Sequence, residues 1–119
     1  MIQKGTYTSP ADNCGAIWIK VFHLYYGYSH KIAHTGDFFK GSVRETIPDN
    51  WLLKKTKVKG IIVRTAKQLH KPDGSHLRFD ENAVVLLKKR MTTYGGRLMG
   101  PVPLTIRRRK FLSSFPGRL

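Results

Sequence analysis

Residues 60–86, GIIVRTAKQLHKPDGSHLRFDENAVVL, decide how this chain folds. Residues 61–63 are three consecutive β-branched side chains, a run typical of a strand that is buried on both faces. Residues 83–87 form a second apolar run of strand length. The intervening residues 64–78 contain too few apolar side chains to build a core. We therefore expect them to project from a β body as a ribbon of two arms.

The turn of this ribbon lies at Lys71-Pro72-Asp73-Gly74-Ser75. Pro72 presets the backbone φ angle that the first corner of a turn needs, and Gly74 adopts positive φ without a steric penalty. The arms carry Arg64, Lys67, Lys71 and Arg78. A basic arm on a β body favours contact with phosphate groups over catalysis, so the pattern predicts an RNA-binding finger.

Three further strands are predicted before residue 60. Residues 2–8 form a short first strand, which we expect to end at Ser9-Pro10 because proline has no N–H to donate to a ladder. Residues 16–23 alternate, which predicts a strand with one apolar face made of Ile17, Ile19 and Val21.

Residues 37–47 predict the third of these strands, and Gly41 in its middle predicts a bulge or a barrel corner. One face of this strand carries Phe39, Val43, Glu45 and Ile47. Residues 24–35 are predicted to form a loop, which contains a tyrosine cluster at Tyr25, Tyr26 and Tyr28. These rings could stack on unpaired bases or pack against a neighbouring protein, and the sequence favours neither.

The whole pattern predicts one domain, residues 1–119, of the mainly β class. We expect a small five-stranded β-barrel over about residues 1–102, with the ribbon at residues 64–78. Residues 103–119 form a short C-terminal piece with one or two helices predicted between positions 103 and 114.

The chain is strongly basic, with 22 Lys and Arg against 7 Asp and Glu, a net charge of +15 and a pI near 10.4. Residues 1–37 contribute only +1 of this charge. Such an imbalance favours a polyanionic partner, and no run of apolar residues is long enough to favour a membrane. The cations predicted to contact RNA are Lys40, Arg44, Lys54, Lys55, Lys57, Lys59, Arg64, Lys67, Lys71, Arg78, Lys88, Lys89, Arg90, Arg97, Arg107, Arg108, Arg109 and Lys110.

Catalytic and metal chemistry find little support in the sequence. The seven acids are scattered, no serine has a His and Asp set at a known motif spacing, and no cofactor motif is present. His30 and His34 lack a third metal ligand nearby. Cys14 is the single cysteine, and we interpret it as a small, partly buried filler. We expect neither an enzyme nor a cofactor.

The spacing within residues 60–86 resembles a family signature. Gly60 is followed by three aliphatic residues and, nine residues later, by Asp73-Gly74; Phe79, Asn82 and the pair Val85-Leu86 complete the pattern. This spacing is similar to that of the universal L-fourteen family of large-subunit ribosomal proteins. Further matches run along nearly the whole chain: Met1-Ile2-Gln3, Ala11-Asp12-Asn13, Gly15-Ala16, Gly36-Asp37, Glu45, Ile47-Pro48 and Gly100-Pro101-Val102.

The resemblance implies a structural role in the large ribosomal subunit. It implies binding to large-subunit rRNA, to neighbouring large-subunit proteins and, through an intersubunit bridge, to small-subunit rRNA. It also implies a docking surface for the ribosome silencing factor. Arg97 carries over from the family's Gly-Thr-Arg, whereas Gly96 replaces the threonine.

Two other functions, and the cellular compartment of the ribosome, also have to be considered. A free-standing OB-like single-strand nucleic-acid-binding module would also be basic, β-rich and aromatic, and a nuclease would need a carboxylate cluster that the sequence lacks. The chain starts where the family starts, so we expect no attached import segment. Pro10, Trp18, Trp51 and a tail without acids favour a mitochondrial ribosome over that of a bacterial cytoplasm or plastid.

Overall fold

Nine strands form in the computed structural model, which describes residues 2–12, 14–25, 32–47, 55–70, 73–88, 100–102 and 117–118. The strands are β1 (Tyr7–Pro10), β2 (Ala16–Leu24), β3 (Phe38–Thr46), β4 (Lys57–Arg64), β5 (Leu69–His70), β6 (His76–Leu77), β7 (Ala83–Leu87), β8 (Pro101–Val102) and β9 (Gly117–Arg118). Five of them close into a barrel in the order β1-β2-β3-β4-β7. The predicted class, mainly β with a five-stranded barrel, is confirmed.

β1 and β7 close the barrel through parallel pairing. The other four pairs of neighbouring barrel strands are antiparallel. The predicted first strand over residues 2–8 is wrong in its bounds, because β1 spans Tyr7–Pro10. Ser9-Pro10 does not break the ladder, because Ser9 pairs with Ala83 and Pro10 with Val84. The donors to this seam are the amides of Ser9 and Ala11, which bond to the carbonyls of Asn82 and Val84 at 3.1 and 2.7 Å. The N–H that Pro10 lacks is not needed at this seam.

β4 and β7 have apolar side chains on both faces, as the β-branched run predicts. Ile62, Val84 and Leu86 point into the barrel, where they pack with residues such as Phe39. The outer side chains form a second buried cluster: Ala11, Ile61, Val63, Ala83, Val85 and Leu87, with Phe38 packed against it. Two faces of burial explain why these strands lack the alternation of β2 and β3.

β2 departs from simple alternation because its pairing with β3 contains three register shifts. One shift, between the pairs of Ala16 and Trp18, leaves Ile17 as an extra residue. Ile17 is 41% exposed, whereas Ile19 and Val21 are fully buried. The prediction that Ile17 shares an apolar face with Ile19 and Val21 is therefore wrong. A bulge moves the side chains that follow it to the other face, and the residue spacing alone does not show it.

β3 keeps its apolar face only as far as Val43. Glu45 and Ile47 are both exposed, Ile47 at 55%, because a second register shift precedes Glu45. The bulge or corner predicted at Gly41 lies on the partner strand, between Val21 and His23. A Cβ on Gly41 would lie 2.8 Å from the carbonyl oxygen of Lys20, so glycine is required for this close approach.

The ribbon pairs as predicted, with Leu69 opposite Leu77 and His70 opposite His76. Gly74 has the expected positive φ of 89°. The C-terminal helices predicted between positions 103 and 114 lie outside the described residues. The pairing of β8 with β9 is parallel. Within the described part of the chain, no helix has the length and apolarity needed to cross a membrane.

Candidate nucleic-acid interface

The outer surface of β3 and β4 carries four of the predicted RNA-binding cations. Because Phe39, Gly41 and Val43 point inward, Lys40 and Arg44 point outward from β3. On β4 the first outward positions are Lys57 and Lys59. The barrel fixes the backbone beneath all four, so their charges are held in one area of the surface. We call these four residues the β3–β4 cationic face.

Aromatic rings hold two of these cations in place. The Lys59 ammonium lies 4.9 Å from the centroid of the Tyr25 ring and 5.1 Å from that of Phe38, and the Lys40 ammonium lies 6.0 Å from the Tyr25 centroid. The His23 ring lies edge-on to the Tyr25 ring, and the two ring centroids are 5.3 Å apart. Each exposed cation–π contact contributes about 0.5–1 kcal/mol. These contacts order ammonium groups that would otherwise sample many rotamers.

A shallow groove lies beside this face and is lined by Tyr7, Trp18, Arg44 and Glu45. Tyr7 and Trp18 are 51% and 43% exposed. The Lys20 ammonium lies 5.8 Å from the Tyr7 ring centroid. Lys20 was not among the predicted contacts. Its alternation with Trp18 on β2 was the signal that could have identified it.

Other predicted cations are distributed along the ribbon and the connections. Lys67 and Arg78 are exposed on the ribbon arms, and Lys88 is exposed after β7. Lys55 is exposed in the turn before β4 and has a positive φ of 64°. The structure thus brings the β3 and β4 cations together. Lys55 and Lys88 lie next to them, since the Lys55 amide donates to the carbonyl of Val43 and Lys88 follows Leu87, the strand partner of Lys59.

Arg64 is a predicted contact that is half-buried at the end of β4. Its Nη1 donates a hydrogen bond of 3.4 Å to the carbonyl of Pro101. Burial lowers the pKa of the guanidinium, and the charge of Glu81 opposes this shift. Arg64 therefore has a structural partner, and its contact with RNA stays a prediction.

The remaining predicted contacts lie outside the described residues: Lys54, Lys71, Lys89, Arg90, Arg97, Arg107, Arg108, Arg109 and Lys110. His30 also lies there, so the His30–His34 pair has no described geometry. In the part of the chain that is described, no group of three or more His, Cys, Asp or Glu side chains could hold a metal ion. Cys14 is buried, and burial together with the Asp12 carboxylate raises the pKa of its thiol to about 12.

Comparisons with known proteins match this chain over almost its whole length. The family model described as ribosomal protein L14p/L23e matches residues 1–115. The chain is also similar to the large ribosomal subunit protein uL14m of Tetrahymena pyriformis. The two are 49% identical over 119 residues, which is 100% of both chains.

Proposed function

Because this chain belongs to the ribosomal protein L14p/L23e family, we infer that its β3–β4 cationic face binds the RNA of the large ribosomal subunit. The chain is a structural constituent of that subunit, as its family and the uL14m relative indicate. The resemblance found in residues 60–86 is thereby confirmed. Contact of individual side chains with rRNA is the part that we add.

The observation that carries the proposal is the concentration of cations on rigid strands. Lys40, Arg44, Lys57 and Lys59 project from paired strands whose other sides form the barrel core. Lysine and arginine that neutralise phosphates release counterions, which supplies most of the sequence-independent affinity for nucleic acid. A rigid base fixes where the charges point and so selects a backbone geometry.

The recognition that we propose depends on shape and phosphate position. The major groove of A-form RNA is too deep and narrow for side chains to read base edges. Contacts from a barrel surface and from the exposed ribbon cations Lys67 and Arg78 would reach phosphates and 2′-hydroxyls. Neighbouring large-subunit proteins, small-subunit rRNA at an intersubunit bridge, and the ribosome silencing factor are further proposed partners that follow from the family.

A mitochondrial ribosome is the location that the comparison supports. The relative from Tetrahymena carries the suffix for a mitochondrial member, and its identity of 49% extends over both full chains. The preference for a mitochondrion over a bacterial cytoplasm or plastid is confirmed.

Sedimentation of a mitochondrial lysate through a sucrose gradient tests the proposal. We expect the chain to migrate with the large subunit and to stay bound in moderate salt, because many phosphate contacts act together. Recovery mainly in the ribosome-free fractions would support the rival single-strand binding module, which should also bind arbitrary oligonucleotides with little sequence preference.

A further inference from the structure

We propose that Lys40 and Lys59 form, with the Tyr25 ring, a preorganised site that binds a single RNA phosphate. This inference rests on the proposed function and assigns one subsite within the β3–β4 cationic face. The ligand chemistry is a phosphate group bound between two ammonium groups, and the RNA backbone is its proposed source.

The register of the strands brings the two lysines together. Lys40 of β3 is the direct partner of Lys59 of β4, and His23 of β2 is the partner of Lys40 on its other side. Directly opposed residues of an antiparallel pair have Cβ atoms about 4.5–5.5 Å apart and point to the same side of the sheet. Both ammonium groups lie within 6.0 Å of the Tyr25 ring centroid. The two charges therefore converge on one small area.

The two ammonium groups repel each other in the free protein. Like charges that are directly opposite across two strands destabilise a sheet. Among the described residues, no carboxylate forms a salt bridge with either lysine. The Tyr25 and Phe38 rings offset part of the repulsion and also limit how far the Lys59 side chain can move away. A phosphate bound between the ammonium groups would remove the repulsion and form charge-assisted hydrogen bonds with both.

Lys57 provides a matched comparison on the same strand and the same face. Its cross-strand partner is Ser42, a neutral residue, so the like-charge argument does not apply to it. If the four cations acted independently, neutralising Lys57 and neutralising Lys59 would have the same effect on stabilisation by phosphate and on RNA affinity. A preorganised site formed by Lys40 and Lys59 predicts that neutralising Lys59 has the larger effect.

The first measurement is thermal unfolding of the free full-length chain, in chloride and in inorganic phosphate at equal ionic strength. We expect Lys59→Gln and Lys40→Gln to change the unfolding midpoint in chloride by less than about 4 °C, because each removes the repulsion together with the cation–π contacts that oppose it. Phosphate should stabilise the unchanged chain more than either variant. Lys57→Gln leaves the Lys40–Lys59 pair in place and should keep the full stabilisation by phosphate. Lys59→Arg, which keeps the charge, should behave like the unchanged chain.

The second measurement is the affinity for a large-subunit rRNA fragment as a function of salt. Each single variant should lose about tenfold in affinity but lower the slope of log affinity against log salt by less than one, because the other lysine still neutralises the phosphate. The double variant should lower the slope by about one, because both lysines share one phosphate and only their joint loss leaves it without a cation. A slope lowered by two would mean two separate phosphates and would overturn the shared site.

The remaining outcomes separate this inference from the function on which it rests. If the single variants bind rRNA normally while the unchanged chain binds it tightly, the subsite is wrong and the proposed function stands. If inorganic phosphate stabilises the single variants as much as the unchanged chain, the two ammonium groups do not bind a phosphate and the site is also wrong. If inorganic phosphate stabilises the chain but no rRNA fragment binds, the source is free phosphate and the RNA assignment fails.

Discussion

Arg64 at the end of β4 donates a hydrogen bond from Nη1 to the carbonyl of Pro101, 37 residues further along the chain. This bond links the central barrel strand to the beginning of β8. The residue before Pro101 is Gly100, whose φ is 79° and whose missing Cβ would overlap the Arg64 guanidinium. The backbone angle therefore favours glycine at position 100, and a Cβ there would displace the flexible end of the Arg64 side chain.

Gly100→Ala should lower the free energy of unfolding by about 2 kcal/mol. An L-residue with a left-handed backbone angle costs about 1–2 kcal/mol, and displacement of the guanidinium loses a hydrogen bond of about 1 kcal/mol. A double-mutant cycle with Arg64→Ala separates the two terms in urea unfolding. In the Arg64→Ala background only the backbone penalty should remain. Equal effects of Gly100→Ala in both backgrounds would show that the two residues are not coupled.

Gly60→Ala should destabilise the barrel by about 3 kcal/mol or more, because overpacking a rigid core is costly. A Cβ at this position would lie 2.6 and 2.7 Å from two carbons of the buried Phe39 ring and 2.8 Å from the carbonyl oxygen of Val85. Chemical denaturation measures the effect. Replacing the ring by Phe39→Leu should reduce the additional loss caused by Gly60→Ala. An unchanged additional loss would place the conflict at Val85 instead.

Asn82→Ala should loosen the base of the ribbon. The Asn82 side-chain oxygen accepts a hydrogen bond of 2.9 Å from the Ala66 amide, and its backbone carbonyl accepts one from Ser9. Loss of the side-chain acceptor should cost about 1 kcal/mol and speed amide exchange at Ala66. Asn82→Asp retains an acceptor and is the control. Unaltered protection of the Ala66 amide in the alanine variant would contradict the assignment.

Cys14 should resist alkylation in the folded protein at pH 8. A pKa of about 12, raised from the ordinary value of 9.0, makes the thiolate about a thousandfold rarer than that of an unperturbed thiol. The chain has one cysteine, so mass spectrometry counts its modification without ambiguity. Addition of denaturant should restore rapid reaction. Equally rapid alkylation without denaturant would show that the thiol is accessible and ionised.

The same raised pKa predicts how Cys14 contributes to stability at high pH. Below about pH 9 the thiol is neutral in both the folded and the unfolded chain, so its contribution does not change. Between about pH 9 and 12 the unfolded chain loses the proton first, so stability falls as pH rises. Subtracting the pH profile of Cys14→Ala from that of the unchanged chain should isolate this decrease, because tyrosines and lysines titrate in both proteins.

Neutralising the ribbon should lower the salt dependence of RNA binding. Lys67 and Arg78 are exposed on its two arms. If each contacts a phosphate, Lys67→Gln with Arg78→Gln should reduce the slope of log affinity against log salt by about two. Lys4→Gln is the control, since Lys4 is an exposed lysine in the turn before β1. A slope equal to that of the control would exclude the ribbon from the interface.

Sequence patterns determined the features of this protein that depend on local chemistry. The apolar run at residues 61–63 and the run at residues 83–87 specified two strands that are buried on both faces, and β7 (Ala83–Leu87) has the predicted bounds. The glycine in the ribbon turn specified a positive φ at Gly74. The excess of Lys and Arg specified a polyanionic partner. Each of these conclusions follows from side-chain type and spacing along the chain.

Only the tertiary structure decided which side chains share a surface. Ile17 is exposed because bulges change the register of β2 against β3, and Pro10 belongs to a strand because the parallel seam takes its donors from the neighbouring residues. Arg64 had the same sequence signal as Lys59, yet its partner is the carbonyl of Pro101. Register and long-range pairing are properties of two segments at once. A pattern read along one segment therefore cannot determine them.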